Sequence, residues 1–238
     1  MWPFKKKRIK VCQSGILNEF TDWHSHLLPG VDDGVSKADE SLAILELMAE
    51  SGVKEIHFTP HVMEDVPNRP ADLRAGYESF VSSYNGSVRI SLGAENMLDS
   101  LFAERLAAND LLPLSADHIL VETSFINPPM DFYGLLRQIE SVGFYPVLAH
   151  PERYRYMETD DYKNLQDMGV RFQLNMTSLA GFYGKTAQDK ARFLLEKGSY
   201  TLAGLDIHSL NQFRTFLESD IDVKDVRLLE PLLERNII

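Results

Sequence analysis

One pattern constrains the fold more than any other. Short β-rich segments alternate with segments of helical periodicity along the whole chain, in seven successive units. That alternation is the signature of a parallel sheet or barrel wrapped in helices. Strand candidates fall at 20–23, 53–58, 88–92, 118–121, 145–148, 171–174 and 200–202, most of them apolar enough to be buried on both faces. Helical periodicity covers 37–50, 71–84, 99–107, 132–141, 160–168 and 185–196, with one or two more helices after Asp222. Ser36 and Ser209 stand where N-caps belong. Gly52, Gly143, Gly169 and Gly198 each follow a helix and precede a strand, where a positive φ ends the helix. No Pro/Gly/Ser linker interrupts the chain, and 238 residues suit one α/β barrel. The expectation is a single domain over 16–238 preceded by a basic tail over 1–15.

Charge and cysteine content narrow the setting. With 24 Lys and Arg against 35 Asp and Glu, the formal charge of -11 repels a nucleic-acid backbone, so nucleic acid is not an expected partner. Cys12 is the only cysteine, so no intrachain disulfide can form, and a reducing cytoplasm is the expected location. No apolar run approaches the roughly 20 residues of a membrane span, and the start lacks the apolar core of a signal peptide. Residues 1–10 read MWPFKKKRIK, where Trp2 and Phe4 sit beside five cations; such a segment can touch an anionic membrane surface. The plainer reading is a solvated tail, because stable anchoring needs two signals and only one is present.

The polar residues that can carry chemistry cluster at the carboxyl ends of the expected strands, where parallel barrels build active sites. The first strand ends in Asp22-Trp23-His24-Ser25-His26, the second runs into Thr59-Pro60-His61, and the third reaches Glu95. Glu122, the His150-Pro151-Glu152-Arg153 segment and Asp206-Ile207-His208 end later strands. Extended residues two apart point the same way, so His24 with His26, and Asp206 with His208, can each offer two ligands to one ion. A lone buried histidine is more often structural than a ligand. Five of the seven histidines at strand ends weigh against that reading here, whereas His57 and His118, within or at the start of strands, are read as structural.

These motifs resemble the PHP superfamily of metalloenzymes. More narrowly, His24-Ser25-His26-Leu27-Leu28-Pro29-Gly30-Val31-Asp32-Asp33-Gly34 is similar to the opening motif of bacterial protein-tyrosine phosphatases encoded with capsule and exopolysaccharide genes. Thr59-Pro60-His61 and His150-Pro151-Glu152-Arg153-Tyr154 resemble later motifs of that family, over about residues 20–215. The resemblance implies a distorted (β/α)7 TIM-like barrel, the PHP fold. It also implies three divalent ions: one on His24, His26, Glu95 and Asp206, a second on Glu95, Glu122 and His150, and a third on Asp33, His61 and His208. Arg153 would hold substrate phosphate. Two departures stand out: Val62 follows His61 where the family often has a second histidine, and the arginine expected after Asp-x-His is matched only by Arg214, six residues beyond.

Imidazole and carboxylate ligands without thiolate suit manganese first, with iron or zinc also accommodated. Four ligand carboxylates against the six charges of three divalent ions leave a net positive site that attracts a phosphate dianion. A metal-activated hydroxide would attack phosphorus in line while Arg153 steadies the equatorial oxygens and His208 or a bound water protonates the leaving group. The cysteine-nucleophile alternative needs an arginine six residues after the cysteine; Asn18 stands there instead. Asp32 is read mainly as a turn residue. Phe125, Tyr154, Tyr156 and Tyr183 lie in loops near the expected mouth, where they could pack on a phosphotyrosine ring.

The leading expectation is therefore a tyrosine phosphatase acting on the tail of a membrane-bound kinase that controls polysaccharide export, with a ring-forming homo-oligomer plausible by resemblance. A small-molecule phosphatase of the same superfamily, such as one acting on histidinol phosphate, would use nearly the same ligands. A PHP-type nuclease lacks its basic channel, and a non-catalytic scaffold would have eroded ligands.

Overall fold

The computed structural model describes residues 7–238. In chain order the elements are β1 (Arg8–Lys10), α1 (Val11–Ser14), β2 (Phe20–Ser25), α2 (Ala38–Glu50), β3 (Val53–Phe58), β4 (His61–Val62) and α3 (Pro70–Ser83). Then come β5 (Arg89–Leu92), β6 (Glu95–Met97), α4 (Phe102–Ala107), β7 (His118–Glu122), α5 (Phe132–Ser141) and β8 (Tyr145–Ala149). A 3-10 turn (Pro151–Arg153) leads to α6 (Thr159–Asp167), β9 (Arg171–Asn175), α7 (Met176–Leu179), α8 (Gly184–Glu196) and β10 (Leu202–Gly204). The chain ends with α9 (Leu210–Glu218), β11 (Asp220–Asp222) and α10 (Val223–Leu233).

All seven expected strands are present within a residue or two of their bounds. Their pairing is parallel throughout, in a sheet of order β10-β9-β8-β7-β6-β4 and a second of order β2-β3-β5. Backbone bonds carry the pairing across the breaks. Gly93 N donates to Phe58 O at 2.8 Å and Glu95 N to Pro60 O at 3.1 Å, between β3 and β4 on one side and β5 and β6 on the other. Pro60 has no N–H to give, which interrupts the ladder at that point. On the far edge Asp206 N donates to His24 O at 2.8 Å, His26 N donates to Ile207 O at 3.0 Å, and a parallel bridge joins Ser25 to Ile207. The result is a curved parallel sheet with helices outside.

Two apolar cores follow from this curvature. A large one packs α2, α5, α8 and α9 onto the outer face through Ile44, Leu136, Leu194 and Phe213, all essentially inaccessible. A smaller one, Trp23, Leu114, Leu120, Val147, Ala149 and Leu202, is enclosed by the strands. Leu120 and Glu122 are two apart on β7 and share a face, so the same wall passes from apolar core to polar site.

Several local expectations need correction. The stretch 1–15 is not wholly a tail: from Arg8 on it is folded, with β1 antiparallel to β11, Arg8 Nη2 donating to Asp220 O at 2.7 Å, and Val11 buried. Residues 1–6, which carry most of the suggested membrane-contact segment, lie outside the described residues. Ser209 caps α9 by accepting from Gln212 N at 3.2 Å, but α2 begins after Lys37, not Ser36, and has no side-chain cap. Gly52, Gly143, Gly169 and Gly198 all adopt positive φ as expected. No described helix is long and apolar enough to cross a membrane.

Candidate metal centre

The carboxyl ends of β2, β7, β8 and β10, together with the first residues of β4 and β6, bring the nine expected ligands to one cavity region. Asp33, His61, Glu95, Glu122, His150, Arg153, Asp206 and His208 line a pocket of about 200 Å3, together with Met63, Met97 and Phe125. His24 and His26 lie just beneath it, fully buried. Glu95 is the hub. Its Oε2 stands 3.1 Å from His24 Nε2, 3.4 Å from His26 Nε2 and 3.1 Å from His61 Nδ1, while Oε1 stands 2.9 Å from His150 Nε2. Asp206 Oδ1 completes the inner group at 3.6 Å from His24 and 3.4 Å from His26. Asp33, with a side chain 70% exposed, reaches from the mouth to within 3.5 Å of both His61 Nε2 and His208 Nε2.

The donor set fits cations on local evidence. His24 Nδ1 faces Gln173 Oε1 at 3.0 Å and His26 Nδ1 faces Asp32 Oδ2 at 2.8 Å, so each ring, when neutral, donates from Nδ1 and turns a bare Nε2 inward. The two Nε2 atoms are 3.1 Å apart. Two lone pairs at that distance require positive charge between or beside them. Glu95 Oε2, Glu122 Oε1 and His61 Nδ1 are also buried without a hydrogen-bond partner. Unsatisfied acceptors of this kind are costly in a protein interior unless an ion completes them.

The electrostatics agree. Burial opposes charge on His24 and His61, but Glu95 and its neighbouring carboxylates outweigh that penalty, raising His24 and lifting His61 to about 10. Glu95 and Asp206 are held well below the usual carboxylate range against their own burial, chiefly by the surrounding histidines. Burial and then the Glu95 charge push Glu122 up to about 6, while burial and then Arg153 push His150 down to about 4. His150 and Asp206 also have left-handed backbones, φ 34° and 53°, unusual for residues with a Cβ.

Close approach beneath the histidines depends on glycine. A Cβ on Gly34 would meet His26 O at 2.2 Å, and one on Gly204 would meet His24 Cβ at 2.6 Å. Neither position can hold a larger residue without moving a candidate ligand.

Comparison with known proteins decides the family. The model for "Capsular polysaccharide synthesis, CpsB/CapC" matches residues 20–222. The chain belongs to the CpsB/CapC family. It is 28% identical to tyrosine-protein phosphatase YwqE of Bacillus subtilis, over 79% of this chain and 77% of that protein. To tyrosine-protein phosphatase CpsB of Streptococcus pneumoniae it is 29% identical, over 85% and 88% of the two chains. In three dimensions it superposes on a structure from a study of YwqE and CpsB, described as unique metal-dependent tyrosine phosphatases. The TM-score is 0.76 at 26% identity, over 89% of this chain and 86% of that one.

Within this CpsB/CapC chain the remaining expectations divide. Arg153 is at the site, its Nη1 2.6 Å from Asp206 Oδ2, with its guanidinium 4.3 Å from the Phe125 ring centre and 4.0 Å from that of Tyr183. Arg214 is not brought there. It is exposed on α9 and absent from the cavity lining, because Phe213, Phe216 and Leu217 turn the apolar face of that helix inward. Tyr154 is fully buried, its hydroxyl accepting from Thr123 N at 3.2 Å, Tyr156 Oη bonds Thr123 Oγ1, and neither lines the cavity. Asp32 makes the expected turn by accepting from Gly34 N at 3.0 Å, but it also accepts from His26 and from His61 N at 3.1 Å and thus orients two candidate ligands. His57 and His118 are structural: one stacks on Trp23 at 4.0 Å, the other bonds Asp117 at 2.6 Å.

Sequence reasoning passed over Gln173 and Asn175. Gln173 orients His24, and Asn175 Nδ2 donates to Asp206 Oδ2 at 2.9 Å. They stand two apart at the end of β9, the same spacing that exposed the histidine pair.

Proposed function

We propose that this chain is a metal-dependent protein-tyrosine phosphatase, with divalent ions, manganese first and iron or zinc as alternatives, held by three overlapping sets of ligands. His24, His26, Glu95 and Asp206 form the first; Glu95, Glu122 and His150 the second; Asp33, His61 and His208 the third. The close approach of four histidine nitrogens to the two oxygens of Glu95 carries this reading, since one carboxylate so surrounded is suited to bridge ions. When bound, the ions would supply a nucleophile from water and polarise the phosphoryl oxygens.

The chain's own groups do the rest. Arg153, fixed by Asp206 and by two aromatic faces, holds equatorial phosphoryl oxygens. His208, partly exposed beside Asp33, would instead position a bound water suited to protonate the phenolate leaving group. Arg214 would join only if the substrate itself reached α9. For the barrel count, β3 with β4 and β5 with β6 read as two bent strands, giving seven in all. The expected partner is the phosphotyrosine tail of a membrane-bound kinase, met in the cytoplasm; residues 1–10 supply a possible membrane contact, and a homo-oligomer is compatible.

The test is turnover on phosphotyrosyl peptide, phosphoseryl peptide and histidinol phosphate, with metal analysis of the same preparation. Hydrolysis of the first that a chelator abolishes and Cys12→Ala spares is the expected result. Preference for histidinol phosphate would move the chain to the small-molecule reading; chelator-resistant turnover would sink the metal mechanism.

A further inference from the structure

A second groove adjoins the catalytic cavity. It encloses about 300 Å3 and is walled by Met63, Pro67, Leu101 and Ala108 among others. Met63 also lines the cavity that holds the candidate metal ligands, so the two hollows share a wall. The catalytic cavity, at about 200 Å3, is smaller than pockets that enclose a drug-sized ligand, and is suited to one aryl phosphate rather than to a peptide. Whatever flanks the phosphorylated residue must lie outside it.

The groove is built rather than incidental. Asn68 Nδ2 donates to Val31 O and to His61 O, both at 2.8 Å, tying the 63–69 loop to the metal-ligand loops. Glu64 N donates to Asp99 Oδ2 at 2.7 Å and Ser100 Oγ to Glu64 Oε2 at 2.9 Å, tying the same loop to the start of α4. A preformed groove binds without the cost of ordering its walls. Arg69 and Arg105 are balanced on those walls by Glu104 and Asp110, so charge gives little selectivity and apolar contact decides.

We propose that this groove receives an apolar side chain next to phosphotyrosine in a peptide substrate, and so makes the enzyme select phosphotyrosyl peptides by sequence. The inference rests on the phosphatase reading above. Burying one such side chain is worth about tenfold or more in affinity.

The experiment compares kcat/KM on phenyl phosphate, on a phosphotyrosyl peptide with leucine on both sides, and on the same peptide with glycine there. Two variants of exposed wall residues are used: Leu101→Gln, which removes apolar surface, and Ala108→Trp, which plugs the groove. Each should lower kcat/KM on the leucine peptide about tenfold through KM. Turnover of the glycine peptide and of phenyl phosphate should not change, which also reports that the variants are folded. Equal rates of the wild type on the two peptides, or equal losses on all three substrates, would overturn the groove's role while leaving the phosphatase reading intact. A wild type that hydrolyses none of the three would overturn the phosphatase reading, and this role with it.

Discussion

His26 and His57 are both closed off from solvent on neighbouring parallel strands, yet they do opposite things. At the carboxyl end of β2, His26 donates to Asp32 and turns its other nitrogen to Glu95 and Asp206, which together raise its pKa well above the ordinary value despite burial. Within β3, His57 stacks flat on Trp23, has no hydrogen-bond partner on either nitrogen, and is pushed by burial down to about 4. Residue type is the same; position along the strand decides. The carboxyl ends gather several carboxylates around each imidazole, whereas His57 within its strand has one carboxylate, Glu55 Oε1 at 3.8 Å, too little to offset burial.

Four substitutions test that contrast, in falling order of effect on turnover. Glu95→Gln removes the charge shared by four histidines and should cut kcat by at least about a hundredfold, with ion content per chain falling in the same preparation. Unchanged turnover would deny Glu95 its central place. Asp32→Asn keeps the turn but weakens the anchor of His26; a loss of about tenfold to a hundredfold, with weaker metal affinity in a titration, is expected. Tyr183→Ala strips one face from the Arg153 guanidinium, and a rise in KM of about fivefold, with kcat little altered, would match a lost cation–π contact of about 1 kcal/mol.

His57→Phe sits at the other extreme and should leave turnover alone. Its effect is on stability against pH. Because the native pKa of His57 is about 4 and the unfolded value is near 6.5, the unfolded chain takes up the proton first as pH falls. The stabilisation from keeping this ring neutral is complete above about 6.5 and is lost progressively down to 4, up to roughly 3 kcal/mol. Denaturant titrations of the variant should therefore lose less stability across that window than those of the wild type; matching curves would mean that His57 titrates normally.

The same contrast explains what was legible in the sequence. The seven main strands could be read because burial on both faces leaves unbroken apolar runs such as Ile119-Leu120-Val121. β4 and β6, with two and three residues, were too short to leave a periodic signal, and Pro60 and Gly93 mark them off as if they were loops. β1 escaped notice because Arg8 and Lys10 look like tail; its partner β11 lies more than 200 residues away. At the site, histidine and carboxylate pairs at strand ends announced themselves by spacing. Gln173 and Asn175 did not, because neutral amides carry no charge to draw attention, and Arg214 was overread because sequence distance says nothing about which way a helix faces.

The left-handed backbones of His150 and Asp206 have a consequence of their own. Each such conformation costs of order 1–3 kcal/mol unless the surroundings enforce it. Both joints lie where strand turns into catalytic loop, so the strain falls on the pieces that must be most accurately aimed. If ions fill the site as proposed, their binding would offset that strain, and the chain would be expected to be looser and more readily cut by a protease in a chelator than with divalent ions present.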